Sequence, residues 1–182
     1  MEFVEPIRDP DMVKCIGEYL KNKDEKLFVM YSIGIYSGLR ISDILSLKIK
    51  DVKGKTEIRL KEKKTGKVRS FAINPKLKKI IKAYCEDKNT QDYLIPNKRD
   101  KGRKAISREY AYRVLRGAGE HFNIEHIGTH TLRKTFGYHF YLQNNDIVLL
   151  MKILNHSDQS KTLRYIGIEQ TTMNEAIRKL HY

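Results

Sequence analysis

Cysteine is scarce. Cys15 and Cys85 are the only two in 182 residues, and neither belongs to a CxxC spacing or a Cys/His cluster. That argues against a disulfide scaffold and a structural zinc site, and it fits a reducing, cytoplasmic setting. Long apolar runs are missing as well. Nowhere do about 18 apolar residues follow one another, so no segment reads as a membrane span. Met1-Glu2-Phe3-Val4-Glu5-Pro6 is acidic and short, unlike a secretory signal. Acidic side chains are outnumbered, 22 Asp+Glu against 36 Lys+Arg, for a net charge of +14. A hydrophobic share of 40% is enough to build a core, which excludes global disorder. The length points to one domain over residues 1–182.

The positive charge is unevenly placed. Residues 1–30 carry five Lys/Arg against seven Asp/Glu, whereas Lys48–Arg69 carries ten against three and Lys98–Arg116 eight against two. These two stretches hold nearly the whole surplus. A clustered surplus is the footprint of phosphate-backbone binding, although two solvated lysine-rich surfaces would look the same. Neither stretch has the broad apolar face of a helix that lies on a membrane.

Punctuation along the chain predicts a mainly helical protein with one small antiparallel sheet. Asp9-Pro10 opens a helix to about Lys21, and Asp24 caps a second that Gly38 stops. Ile41–Leu47 reads as a short third helix. The period then changes: Glu57–Leu60 and Val68–Ile73 alternate about Lys64-Thr65-Gly66-Lys67, giving a hairpin, with Ile49–Val52 as a candidate first strand. Asn74-Pro75 starts a helix through Tyr84, residues 86–106 read as loop, and Ser107 caps a helix to about Glu120. Thr129 or its neighbours cap a helix bearing His130, Arg133 and Phe136. Asp146–Leu154 is apolar and helical, 155–158 turn, and Thr162–Ile166 is helical. Met173, Ala176, Ile177 and Leu180 stripe a final helix over 169–181.

Four short stretches stand out: Ser37-Gly38-Leu39-Arg40-Ile41-Ser42-Asp43, Lys64-Thr65-Gly66-Lys67, His130-Thr131-Leu132-Arg133 and Leu154-Asn155-His156-Ser157-Asp158, with Tyr165 nine residues after the last histidine. Singly, each has an ordinary explanation. Arg40 would serve as a helix-capping arginine, Lys64 as one solvated lysine among several, and His156 as a turn histidine. His130 and Arg133 share a helix face simply by being three apart.

In order and spacing together, the four resemble the tyrosine recombinase (phage integrase) family, from about Asp24 to Tyr165. The resemblance implies that family's catalytic-domain fold and site-specific cleavage and rejoining of DNA through a 3′-phosphotyrosyl intermediate. Arg40, Lys64, His130, Arg133 and His156 would surround the scissile phosphate and Tyr165 would attack it. Asp43 matches the acidic residue three positions after the first arginine. The partners implied are double-stranded DNA and further copies of the chain, in a tetramer on DNA, with no membrane. No cofactor or metal is implied.

The chemistry asks for these residue types. Attack on a phosphodiester gathers charge on the non-bridging oxygens. Guanidiniums grip such oxygens bidentately, and preorganised donors are worth ~3–4 kcal/mol each in comparable oxyanion sites. A tyrosine hydroxyl, with an ordinary pKa of about 10, needs cations and a base such as His130 to lose its proton. Lys64 suits protonation of the leaving 5′-oxygen, and His156 a hydrogen bond to the phosphate. The phosphotyrosyl link conserves bond energy, consistent with the lack of a P-loop. Candidates for DNA contact are Lys63, Lys67, Arg69, Arg99, Arg103, Lys104, Arg108 and Arg113.

Against the family pattern, little precedes Asp24 beyond one helix, so the N-terminal core-binding domain is expected to be absent. The segment after Tyr165 is expected either to pack on its own domain or to dock on a neighbouring copy. A DNA-binding regulator without the chemistry, a type IB topoisomerase and a generic RNA-binding protein are the competing readings. The complete residue set argues against the first, the short HSD-to-Tyr spacing against the second, and the constellation itself against the third.

Overall fold

In the computed structural model, which describes residues 4–61, 68–100, 102–168 and 177–180, most helices begin where capping side chains stand. Helix α1 (Pro10–Lys23) starts on Asp9, whose carboxylate accepts from the Asp11 N–H. Helix α2 (Glu25–Ser37) starts on Asp24, accepting from the Lys26 N–H, and ends at Gly38 with φ 66°. A side chain at Gly38 would be strained by that φ and would also collide with the Phe136 ring. Helix α3 (Ile41–Ser46) follows with Arg40 at its N-cap position. Strands β1 (Glu57–Lys61) and β2 (Val68–Ala72) pair antiparallel, from Glu57 opposite Ala72 to Lys61 opposite Val68. The remaining helices are α4 (Pro75–Cys85), α5 (Arg108–His121), α6 (Thr129–Asn144), α7 (Ile147–Leu154) and α8 (Gln159–Tyr165). Asn74, Ser107, Asp146 and Asp158 cap α4, α5, α7 and α8 through their side chains. Gly128, not Thr129, holds the N-cap of α6, and its N–H donates to the Thr131 hydroxyl.

Two apolar cores result. The larger surrounds α2, whose Val29, Met30 and Ile33 are fully buried against α1, α3, α4 and α6. The smaller joins Leu150 and Leu154 of α7 to Ile166 and Ile168, with Phe136, Phe140, Leu163 and Tyr165 packed on it. Helix α6 faces both, so it carries the position of α7 and α8 back to the main body. The basic segment between α4 and α5 is tied down as well. Tyr84 donates to the Leu94 carbonyl at 2.9 Å, buried Lys26 donates to the Pro96 carbonyl at 3.0 Å, and Lys98 pairs with Asp24 at 2.9 Å.

Two expectations are corrected. Ile49–Val52 is no strand: Ile49–Asp51 forms a 3₁₀ turn that buries both Ile49 and Val52. The Ile49 and Lys50 N–H groups are taken by the Asp92 and Thr90 carbonyls, contacts across the chain that a local pattern does not contain. The last short helix starts at Gln159 rather than Thr162, because Asp158 caps it. The Lys64–Lys67 turn lies outside the described residues. So does most of the expected final helix, of which Ile177 and Leu180 are described and are 62% and 61% exposed.

Candidate active site

Three helix ends and two helix starts meet at a single place. Gly38 turns the chain out of α2 so that Arg40 stands exposed at the head of α3, with Asp43 in the first turn. Asn155, left-handed at φ 53°, ends α7 and presents His156. The first turns of α6 carry His130, exposed, and Arg133, only 3% exposed. Tyr165, the last residue of α8, closes the ring.

Arg133 binds the site together. Its Nη1 donates to the Gly38 carbonyl and its Nη2 to the Leu154 carbonyl, each at 2.5 Å. Those are the C-terminal ends of α2 and α7, where backbone carbonyls lack helical partners. The guanidinium also stands close enough to the Tyr165 hydroxyl to act on its proton. Burial pushes the Arg133 pKa down to about 10, with Arg40 and Arg69 adding to the fall and Tyr165 and Asp43 opposing it. It therefore stays a cation at neutral pH. Burial raises the Tyr165 pKa although Arg133 and Arg40 pull it down, so the free protein holds a protonated phenol.

Both histidines are kept neutral. Desolvation first, then Arg133 and Arg40, lowers the pKa of each, and Lys134 and Arg108 add to the effect on His130. The His156 tautomer follows from its neighbour. The Thr162 hydroxyl donates to the Asp158 carbonyl at 2.7 Å, so the 3.1 Å contact to His156 Nδ1 has the imidazole as donor. Nε2 of neutral His156 is then a proton acceptor. The His156 ring meets the Tyr165 ring edge to face, with centroids 5.0 Å apart and planes at 88°.

Arg40, Asp43, His130, Arg133, His156 and Tyr165 thus come together, while Lys64, Lys63 and Lys67 lie outside the described residues. The DNA-contact candidates divide. Arg108 begins α5 close enough to perturb His130. Arg99, Arg103, Lys104 and Arg113 are exposed, with Lys104 3.9 Å from Asp100 and Arg113 6.0 Å from the Tyr110 ring. Arg69 donates to the Ile153 and Lys152 carbonyls at 2.6 and 3.3 Å, tying β2 to the end of α7. Lys134 stands at the site without having been singled out, its ammonium 5.2 Å from the Tyr165 ring centre. Its position four residues after His130, on the same helix face, is the signal that could have found it. Among the described residues, no group of three or more His, Cys, Asp or Glu could hold a metal.

The arrangement can grip a phosphate with two guanidiniums, present a hydroxyl to it and accept that hydroxyl's proton on a neutral imidazole. The chain is similar to known proteins. The model of the phage integrase family matches residues 9–171. The chain is 46% identical over 178 residues to the probable integrase/recombinase YoeC of Bacillus subtilis, covering 98% of this chain and 97% of that one. It is 27% identical over 195 residues to the tyrosine recombinase XerA of Pyrococcus furiosus, covering 98% of this chain and 67% of that one. The crystal structure of a XerA recombinase superposes with a TM-score of 0.77 at 23% identity, over 98% of this chain and 65% of that chain.

Proposed function

From the premise that this chain belongs to the phage integrase family, the tyrosine recombinases, we propose that it is a site-specific recombinase that cleaves and rejoins double-stranded DNA through a 3′-phosphotyrosyl intermediate. The observation that carries the reading is Tyr165 in ring contact with His156 and beside buried Arg133, in the same protomer as Arg40 and two neutral histidines.

Each atom has a destination. Arg40 and Arg133 hold the non-bridging oxygens of the scissile phosphate, Arg133 fixed beforehand by its two carbonyl partners. The Tyr165 oxygen attacks phosphorus and its proton passes to a neutral imidazole. His156 is in ring contact with the nucleophile and has Nε2 open, and His130 stands near the same two arginines. The bond from phosphorus to the 5′-oxygen breaks, and that oxygen takes a proton from Lys64 in the hairpin. Once protonated, His156 can donate from Nε2 to the phosphate. Rejoining runs the same steps backwards, with an incoming 5′-hydroxyl attacking the phosphotyrosine. Asp43 offsets the gathered positive charge near Arg133.

Arg108, Arg99, Arg103, Lys104 and Arg113, with the hairpin lysines, would line the DNA. On DNA the protein works as a tetramer, residues 169–182 docking on a neighbour; the exposed Ile177 and Leu180 give that segment apolar surface to bury. A nicked suicide duplex, on which cleavage cannot be reversed, tests the reaction. The wild-type chain should form a covalent protein–DNA adduct, and Tyr165→Phe should form none while binding DNA with nearly unchanged affinity. Tight binding with no wild-type adduct would instead identify a silent DNA-binding regulator.

A further inference from the structure

Lys134 belongs to none of the boxes that carry the family resemblance and has no part in the reaction above. Its ammonium nevertheless lies over the Tyr165 ring, 5.2 Å from the centre, and donates to the Val4 carbonyl at 2.7 Å. Val4 is part of an arm, residues 4–8, that lies across α6. The Ile7 N–H donates to the buried Thr135 hydroxyl at 2.9 Å, and His139 Nε2 meets the Ile7 carbonyl at 2.9 Å. The Glu5 N–H donates to the His126 carbonyl at 3.0 Å. Arg8 bonds the Glu5 carboxylate at 3.0 Å and the carbonyl of Gly167, two residues past Tyr165, at 3.2 Å. Gly167 is left-handed at φ 74°, and a Cβ there would meet Arg8 and the Pro6 ring, so the arm touches the backbone behind the nucleophile directly.

A phenol that must attack in line needs its ring held against rotation as well as its hydroxyl anchored. The His156 ring and the Lys134 ammonium both meet the Tyr165 ring, and the Arg133 charge acts on the phenol. Of these partners, only Lys134 is itself held by the N-terminal arm. We propose that Lys134 is a positioning residue: gripped by the Val4 carbonyl, it keeps the Tyr165 ring turned for attack, and arm 4–8 thereby sets the readiness of the nucleophile. This rests on Tyr165 being the nucleophile.

The test uses the full chain on the nicked suicide duplex, measuring adduct formation at saturating DNA separately from DNA affinity and thermal melting. Lys134→Met should slow adduct formation roughly tenfold with affinity nearly unchanged. Lys134→Arg, which keeps a cation over the ring, should restore most of the rate. Arg8→Met, which releases the arm from Gly167 at an exposed side chain, should slow the same step. Wild-type adduct rates in Lys134→Met would overturn the proposal. So would a lost rate explained by weaker DNA binding, or failure of the arginine to rescue. If Lys134→Met does not fold, Arg8→Met decides, and a wild-type rate there overturns the proposal. Tyr165→Phe is run alongside: an adduct in that variant removes the recombinase reading and this proposal with it, whereas a failure confined to the Lys134 and Arg8 variants removes this proposal alone.

Discussion

His156 shows how little of a residue's task is visible in its identity. A histidine in a polar turn has many ordinary uses, and what separates this one is the Thr162 hydroxyl committed to the Asp158 carbonyl, which fixes the proton on Nδ1. Burial and two guanidiniums then hold the ring neutral. The consequence for stability has a definite sign. An unfolded histidine takes up its proton as pH falls through about 6.5. In the folded chain His156 and His130 take it up only at lower pH. Between those limits the unfolded state binds more protons, so the DNA-free protein loses stability as pH falls below about 6.5. Melting temperatures from pH 7.5 to 5.5 should therefore decline, and His156→Gln should reduce that decline. An equal decline in the variant would show that His156 is not held neutral.

Among the elements, most helix starts were legible because a cap is a local device, although the Asp158 cap of α8 was passed over. Asp9, Asp24, Asn74, Ser107 and Asp146 each bond an N–H two or three residues on, and each stands in the sequence beside the helix that it opens. The 3₁₀ turn at Ile49–Asp51 was not legible, because its backbone partners lie some forty residues away, at Thr90 and Asp92. Lys134 escaped for a different reason: a lysine beside an arginine reads as surface charge until α8 lays Tyr165 on it. Helix α8 has only seven residues and begins on the Asp158 carboxylate, which bonds the Lys161 N–H at 2.6 Å. So short a helix depends on its cap. Asp158→Ala should cost about 1 kcal/mol and lower the melting temperature by about 2–4 °C. It should also slow adduct formation, since the turn that orients His156 loosens with it. An unchanged melt would show that the cap contributes nothing.

The whole molecule separates a large core around α2 from a small one that seats Tyr165, with α6 shared between them. The chain spans nearly all of its YoeC relative and about two thirds of the XerA chains. With charge concentrated in Lys48–Arg69 and Lys98–Arg116, we take about six phosphate contacts, the low end of the usual range, as the expectation for those stretches. Affinity for duplex DNA should then fall about a thousandfold between 50 and 200 mM salt. Fluorescence anisotropy on a labelled duplex measures the slope, and a flat response would show that the basic stretches do not bind the backbone.

Arg133 is at once a phosphate ligand in the proposed reaction and the staple between the ends of α2 and α7. A descendant that drifted away from recombination would be free to discard Tyr165, whose loss removes one hydroxyl, long before it could discard Arg133, whose loss would leave two helix-end carbonyls buried without donors. Inheritance of the arginine is therefore a record of the architecture. Whether a distant descendant still breaks DNA has to be read from its tyrosine.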